Sequence, residues 1–257
     1  MTPGRRTGLG VVSVLVILVL TACGSPSSTT TTRTQPSGPR TVYVAVGGSD
    51  SVGYGTDDPL LDAWPQQFFR RSLPLQTVFI NAAVPRSTVA EAITDQAPLA
   101  RSSRATVVTV WLVSADLLDG TPVTTYASQL LQLLTSLRGA GATTVLVGNV
   151  PPLDELPGYP ACRAGTVGGG RGLRCPVPLP APASLSADVA AYNQAIAVDA
   201  TRSGSVLVDL RTAVTSSVAH GGQPFLEPSG ADLSTAGSTL VAEAFGDRLR
   251  AVTRHTA

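Results

Sequence analysis

This chain of 257 residues contains no lysine; its 18 basic residues are all arginines. Chemistry that needs a lysine amine, such as a Schiff base or the lysine of a phosphate-binding loop, is therefore excluded. Histidine is almost as scarce, with only His220 and His255, and the cysteines are Cys23, Cys162 and Cys175. Two imidazoles and three thiols can form neither a histidine-rich metal centre nor a four-thiolate zinc site. No metal and no cofactor is expected. The formal net charge is +1, and no run of arginines exceeds two. Such a chain carries no basic field for nucleic acid, so the expected ligand is a small molecule or a surface polymer.

The N-terminus is where apolar residues concentrate. Arg5 and Arg6 precede an apolar stretch from Leu9 to Leu20, too short for a permanent membrane span but suited to an export signal. It ends Leu20-Thr21-Ala22-Cys23-Gly24, which resembles the bacterial lipobox. That resemblance implies cleavage before Cys23, a lipid on its sulfur, and attachment to the outer face of the bacterial cell membrane. Residues 1–22 read as signal peptide. Residues 23–40 are the lipidated cysteine and a Ser/Thr/Pro spacer whose composition cannot bury a core. Loss of Arg5 and Arg6 leaves the acidic residues one ahead, so the remainder is close to neutral. In an exported protein the even pair Cys162 and Cys175 reads as a disulfide, which would stabilise by roughly 3 kcal/mol in the chain-entropy picture.

Residues 41–257 read as a domain in which short β-branched runs alternate with amphipathic stretches, the pattern of a parallel sheet wrapped by helices. Five strands are predicted: Thr41–Val46, Thr77–Asn81, Thr106–Val113, Thr144–Val150 and Ser205–Asp209. All are nearly continuous in apolar residues, as strands buried on both faces should be. Helices are predicted from near Pro122 to Gly139, with Tyr126, Leu130, Leu134 and Leu137 inward, and over Ser186–Arg202. A last helix is capped by Ser234 and turns Val241, Phe245, Leu249 and Val252 inward. Residues 151–184, rich in Pro and Gly, read as a long loop excursion. The resulting fold class is a three-layer α/β/α arrangement around a five-stranded, parallel, doubly wound, flavodoxin-like sheet.

Ligands of such sheets bind beyond the carboxyl ends of the strands. There the sequence places Gly47-Gly48-Ser49-Asp50-Ser51, Asn81-Ala82-Ala83-Val84-Pro85, Trp111-Leu112-Val113-Ser114-Ala115-Asp116, and Ser229 through Gly237 before the final helix. In this order the blocks resemble those of the SGNH hydrolases, the GDSL-like lipase/esterase family, over residues 41–252. Gly148-Asn149-Val150-Pro151, Ala191-Tyr192-Asn193 and Val208-Asp209-Leu210 also match. The resemblance carries the nucleophile role to Ser49 and the oxyanion donors to the backbone of Ser49 and Ala83 and to position 115. A serine just past a strand, at the start of a helical turn, meets backbone N–H groups suited to a developing oxyanion.

The same resemblance exposes departures. Gly48 stands where the family most often has Asp, and Ala115 replaces the side-chain oxyanion donor, whose loss typically costs ~10²–10³ in turnover. The family's Asp-x-x-His before the last helix is here Ser229 and Asp232, and a carboxylate of ordinary pKa near 4 is a far weaker base than imidazole. Asp116 reads as a cap of the following turn. His220, twelve residues before Asp232 in a Gly-rich segment, is the nearest substitute base. The reading is a cell-surface lipoprotein, weakly active or non-catalytic, that keeps its ligand cleft; the alternative is an active serine esterase or acyl hydrolase using Ser49 on lipid or acylated glycan esters. The expected partners are the membrane through Cys23 and a small ester or glycan, with the protein a monomer. Asp50, Asp116 and Asp232 would make the cleft mouth acidic, which suits sugar hydroxyls, a cationic group or a hard divalent ion.

Overall fold

The computed structural model describes residues 40–139, 141–156, 181–228 and 232–254. Cys23, Cys162, Cys175 and Ser229 lie outside the described residues, as do residues 1–39, where the export signal and most of the spacer are expected. Among the described residues no helix is long and apolar enough to cross a membrane.

Five parallel strands form one sheet in the order β2-β1-β3-β4-β5: β1 (Val42–Gly47), β2 (Val78–Asn81), β3 (Val107–Trp111), β4 (Thr144–Gly148) and β5 (Val206–Val208). This is the predicted doubly wound sheet, with strands three and four each two residues shorter at the carboxyl end than their apolar runs. Those surplus residues, Leu112-Val113 and Asn149-Val150, remain buried but leave the ladder to begin the connections. The central β1 and β3 are buried almost throughout, which explains why both read as unbroken apolar runs.

The helices are α1 (Pro59–Asp62), α2 (Trp64–Ser72), α3 (Val89–Asp95), α4 (Ala97–Ser102), α5 (Ser114–Leu118), α6 (Val123–Arg138), α7 (Pro182–Ser203), α8 (Leu210–Ala219) and α9 (Thr235–Arg254). One layer packs α6 against α7, α3 and α4, and the other packs α9 against α2 and α8. Helix α6 buries Tyr126, Leu130, Leu134 and Leu137 as the spacing predicts. It stops where Gly139 takes a positive φ of 51° that a side chain would resist. Pro122 is its N-cap rather than a first-turn residue. Helix α7 starts four residues earlier than predicted, with Pro182 in its first turn, and ends at left-handed Gly204. Ser234 caps α9 by accepting the Gly237 amide at 2.9 Å.

Side-chain clamps tie the strand ends to the helices. Asn149 donates to Asp209 Oδ1 at 2.9 Å and accepts the Arg211 amide at 3.0 Å, joining the exits of β4 and β5. Asn193 on α7 pairs with both the N–H and the C=O of Val150, at 2.7 and 3.0 Å. Asp209 caps α8 through the Thr212 amide; hydrogen bonds from Thr212 and Asn149 outweigh its partial burial and hold its carboxyl below the ordinary range. The Asn and Asp residues of these three matched segments are thus fasteners of the scaffold. Their register sets the carboxyl ends of the strands in one row, Ala45 beside Asn81 and Gly47 beside Trp111.

Candidate active site

Strand β1 runs straight into a single 3-10 turn, Ser49–Ser51. Ser51 is buried and folds back over Gly47, where a Cβ would stand 2.1 Å from its Oγ. Its hydroxyl accepts the Trp64 indole N–H at 3.1 Å, and Trp64 stacks on Phe245 with centroids 4.6 Å apart. The turn that carries Ser49 is therefore anchored to the aromatic core by its third residue. Gly47 is needed because Ser51 occupies the space of its side chain.

The connection after β2 wraps this turn. Ala82 donates to Ala45 O at 2.8 Å and Val84 to Gly47 O at 3.1 Å, and the Arg86 amide donates to Ser49 Oγ at 3.0 Å. To aim that amide, Arg86 adopts φ 61°, a left-handed conformation that costs a residue with a side chain roughly 1–2 kcal/mol. Buried Gln96, between α3 and α4, accepts from Gly47 N at 2.9 Å and donates to Gly47 O at 3.1 Å and Ser87 Oγ at 3.0 Å. One side chain thus clamps the end of β1 to the loop over Ser49. Sequence reasoning missed both Gln96 and Arg86. The signal for Gln96 was a single amide side chain within an otherwise apolar and acidic stretch; for Arg86 there was none, since only the tertiary arrangement shows its conformation.

Ala83, at the family's backbone oxyanion position, needs no special backbone, because among the described non-glycine residues only Arg86 and Arg104 have positive φ. Its N–H is directed to Asn81 Oδ1 at 3.1 Å, while Asn81 Nδ2 donates to Ser51 O at 2.9 Å. The amide side chain of Asn81 thus holds this donor and the serine turn together. Ala115 lies in α5 and presents only a methyl group. Its neighbours divide two tasks. Ser114 donates its hydroxyl to Asp50 Oδ2. Buried Asp116 accepts the Val89 amide at 2.8 Å, capping α3, and is also hydrogen-bonded to Thr121 in the turn that follows α5, as expected; burial raises its pKa against these hydrogen bonds. Asp116 is not part of an acidic cleft mouth.

The opposite wall holds Asp232. Leu226 and Leu233 form an antiparallel bridge, the Glu227 amide donates to Asp232 O at 2.9 Å, and Ser234 donates to Phe225 O at 3.0 Å. Asp57 is joined to the same wall through Thr235 Oγ1, at 3.0 Å from both its amide and its carboxylate. Asp232 is 8% exposed. Its pKa does not stay near 4: burial first, then the negative charges of Asp50 and Glu227, push it up to about 6. Asp50 is itself raised by burial, against the hydrogen bond from Ser114. His220 is exposed at the C-terminal end of α8, where its Nδ1 lies 2.7 Å from Ser216 O. Asp50 and Asp232 are brought within electrostatic reach of one another, and among the described residues His220 is joined by hydrogen bonding to its own helix.

A serine on the turn after the first strand of a parallel 2-1-3-4-5 sheet, with the second and third strand exits beside it, defines the class: a protein of the SGNH-hydrolase fold. The sequence profile of the GDSL-like Lipase/Acylhydrolase family matches residues 45–237, and the chain belongs to that family. Among solved structures it is similar to a lipase/acylhydrolase from Enterococcus faecalis, with 18% identity, TM-score 0.60, and coverage of 82% of this chain and 96% of that one. Phospholipase A1 from Streptomyces albidoflavus NA297 aligns at 16% identity and TM-score 0.59 over 82% of this chain and 100% of that one. The esterase EstA from Pseudoalteromonas sp., in a structure inhibited by monoethylphosphonate, aligns at 14% identity and TM-score 0.56 over 83% and 98% of the two chains. At these identities the structural likeness concerns the fold. No curated protein sequence matches this chain.

Proposed function

We propose that this chain is a lipid-anchored surface protein whose SGNH-type cleft is kept for ligand binding, with acyl transfer weak or lost. The observation that carries the reading is the joint replacement around Ser49: Asp232 at the histidine position and Ala115 at the side-chain oxyanion position. Imidazole would be neutral and basic near pH 7; Asp232 brings a carboxylate repelled by Asp50 and Glu227. His220 supports no relay, since it is held at the exposed end of α8. The lipobox at Cys23 supports anchoring outside the cell membrane, and the near-neutral globular part suits a small ester or glycan rather than a polyanion.

A second reading is favoured by one specific observation. A carboxyl pushed up to about 6 is a stronger base than an ordinary aspartate, so Asp232 could serve Ser49 in an esterase that lacks histidine. The esterase and phospholipase names among the structural neighbours support the same alternative.

The deciding experiment is fluorophosphonate labelling of the full chain, with p-nitrophenyl acetate turnover in parallel, on the wild type and on Ser49→Ala. The binding reading expects no label in either protein and a cooperative melt in both. Labelling and turnover that disappear in Ser49→Ala would establish the esterase.

A further inference from the structure

The near-neutral total of the chain hides a separation of charge that only the fold creates. The strands are parallel, so every helix that leads into the next strand ends at the amino edge of the sheet. Helix α9, which starts from the carboxyl edge at Ser234, ends there too. All five of these helices close with arginine: Arg70 and Arg71 in the last turn of α2, Arg101 in α4, Arg138 in α6, Arg202 in α7 and Arg254 in α9. Of the twelve arginines among the described residues, only Arg86 and Arg211 stand at the carboxyl edge. Exposed acids take that end instead, with Asp57, Asp58, Glu91, Asp119 and Asp188 in the segments that leave the strands. Ion pairs at the amino edge, Arg71 with Glu243, Arg202 with Asp199 and Arg250 with Asp247, neutralise part of its charge. Arg70, Arg101, Arg104 and Arg254 are exposed and form no ion pair among the described residues.

Arginine complements the negative end of a helix dipole, but that end carries only about half a charge per helix, which the arginines outnumber. Capping alone does not account for Arg104. Just past α4 it takes a positive φ of 53°, the conformation that glycine supplies at the ends of α6 and α7. Two apolar side chains share the edge: Leu75, fully exposed between α2 and β2, and Leu99, 42% exposed on α4. Apolar tips among arginines suit a surface of anionic headgroups over hydrocarbon. The N-terminal chain also arrives here. Arg40 stands just before β1, and residues 24–40 contain Arg33 and Arg40 but no acid. A flexible spacer of this length spans about 20–25 Å on average, so a lipid on Cys23 would present this edge to the membrane at high effective concentration.

We propose that the amino edge of the sheet docks on the anionic phospholipid surface that holds the anchor, with the cleft around Ser49 turned away from the membrane. Arginines and exposed leucines meet the headgroups, while the acidic carboxyl edge is repelled by the same surface, so attraction and repulsion favour one orientation. The inference rests on the lipid-anchored reading above and deepens it. A ligand of this cleft then arrives from the side away from the membrane, and the phospholipids of that membrane are out of reach of Ser49.

The test uses the full lipidated chain in vesicles of phosphatidylcholine, alone or with a minor share of phosphatidylglycerol, some headgroups carrying a nitroxide quencher. A fluorophore is attached at Leu75→Cys on the amino edge or at Leu60→Cys, 81% exposed beside the carboxyl edge, with the labelled wild type as background. In anionic vesicles quenching should be at least about threefold stronger at position 75 than at position 60. The difference should disappear in phosphatidylcholine alone, at about 0.5 M salt, and in Arg101→Glu/Arg104→Glu, which is melted to establish that it is folded. Equal quenching at the two positions, stronger quenching at position 60, or a difference that survives neutral lipid and the double substitution would each overturn the inference. Loss of the difference to dextran sulfate supplied at the same anionic charge would overturn it in favour of a soluble polyanion. Wild type that fails to float with phosphatidylcholine vesicles lacks an anchor, which overturns the lipid-anchored reading and this inference with it; the other outcomes leave that reading standing.

Discussion

Replacing Asp232 by Asn should stabilise the protein at neutral and higher pH, although it alters a buried residue at a family motif position. The folded carboxyl holds its proton up to about 6, against an ordinary 3.8. Between those values the folded state binds more protons than the unfolded state, so stability must fall as pH rises through this window. Asp232 is stabilising-to-neutral below about pH 4 and a liability above 6. A displacement of about two pH units corresponds to a ceiling of roughly 3 kcal/mol. The carboxylate faces a cleft that water and counter-ions reach, so about 1–2 kcal/mol is the realistic gain. Asn has nearly the same volume, and no hydrogen bond to the carboxylate is lost among the described residues. For a domain of this size each kcal/mol moves the melting midpoint by about 2–4 °C, so the variant should melt about 3–6 °C higher at pH 8. Scanning calorimetry from pH 4 to pH 8 checks this. The gain should vanish toward pH 4, where wild type and variant are both uncharged at this position. A variant less stable than wild type at pH 8, or a gain independent of pH, would refute the reasoning.

Further outcomes follow from the clamps around Ser49. Gln96→Leu should cost about 3 kcal/mol in urea denaturation, because it leaves the buried Gly47 amide and carbonyl and the Ser87 hydroxyl without their partner. Arg86→Gly should raise stability by about 0.5–1 kcal/mol, since glycine adopts φ 61° without the side-chain penalty while keeping the amide that meets Ser49 Oγ. Gly47→Ala should cost at least about 2 kcal/mol, because its Cβ would fall 2.1 Å from the Ser51 hydroxyl and force the turn to move. Asn149→Ala should lose about 2 kcal/mol in urea denaturation, as it unties the exits of β4 and β5.

Much of the fold was legible because its signals are local. Apolar runs such as Val107–Trp111 fill both faces of a central strand, and Tyr126, Leu130, Leu134 and Leu137 recur at the helical period. Gly139 and Ser234 mark helix ends through backbone conformation and one side-chain hydrogen bond, both readable from neighbouring residues. Strand ends were less legible: Leu112 and Val113 are as apolar as the strand before them, and only the length of the neighbouring strands decides where the ladder stops.

At the candidate site the division is sharper. The family resemblance, carried by the order of short sequence blocks, pointed to Ser49 after the first strand and to Asp232 and Ala115 where imidazole and an amide would be expected, because those blocks are readable from residue type and spacing. The tertiary structure decided what those groups experience. Asp116 was turned to cap α3, the Ala83 amide was directed to Asn81, and Asp50 and Asp232, 182 positions apart, were brought within reach of each other's charge. A pKa is set by burial and by every charge nearby, whatever its distance along the chain, so the rise of Asp232 to about 6 came only with the fold.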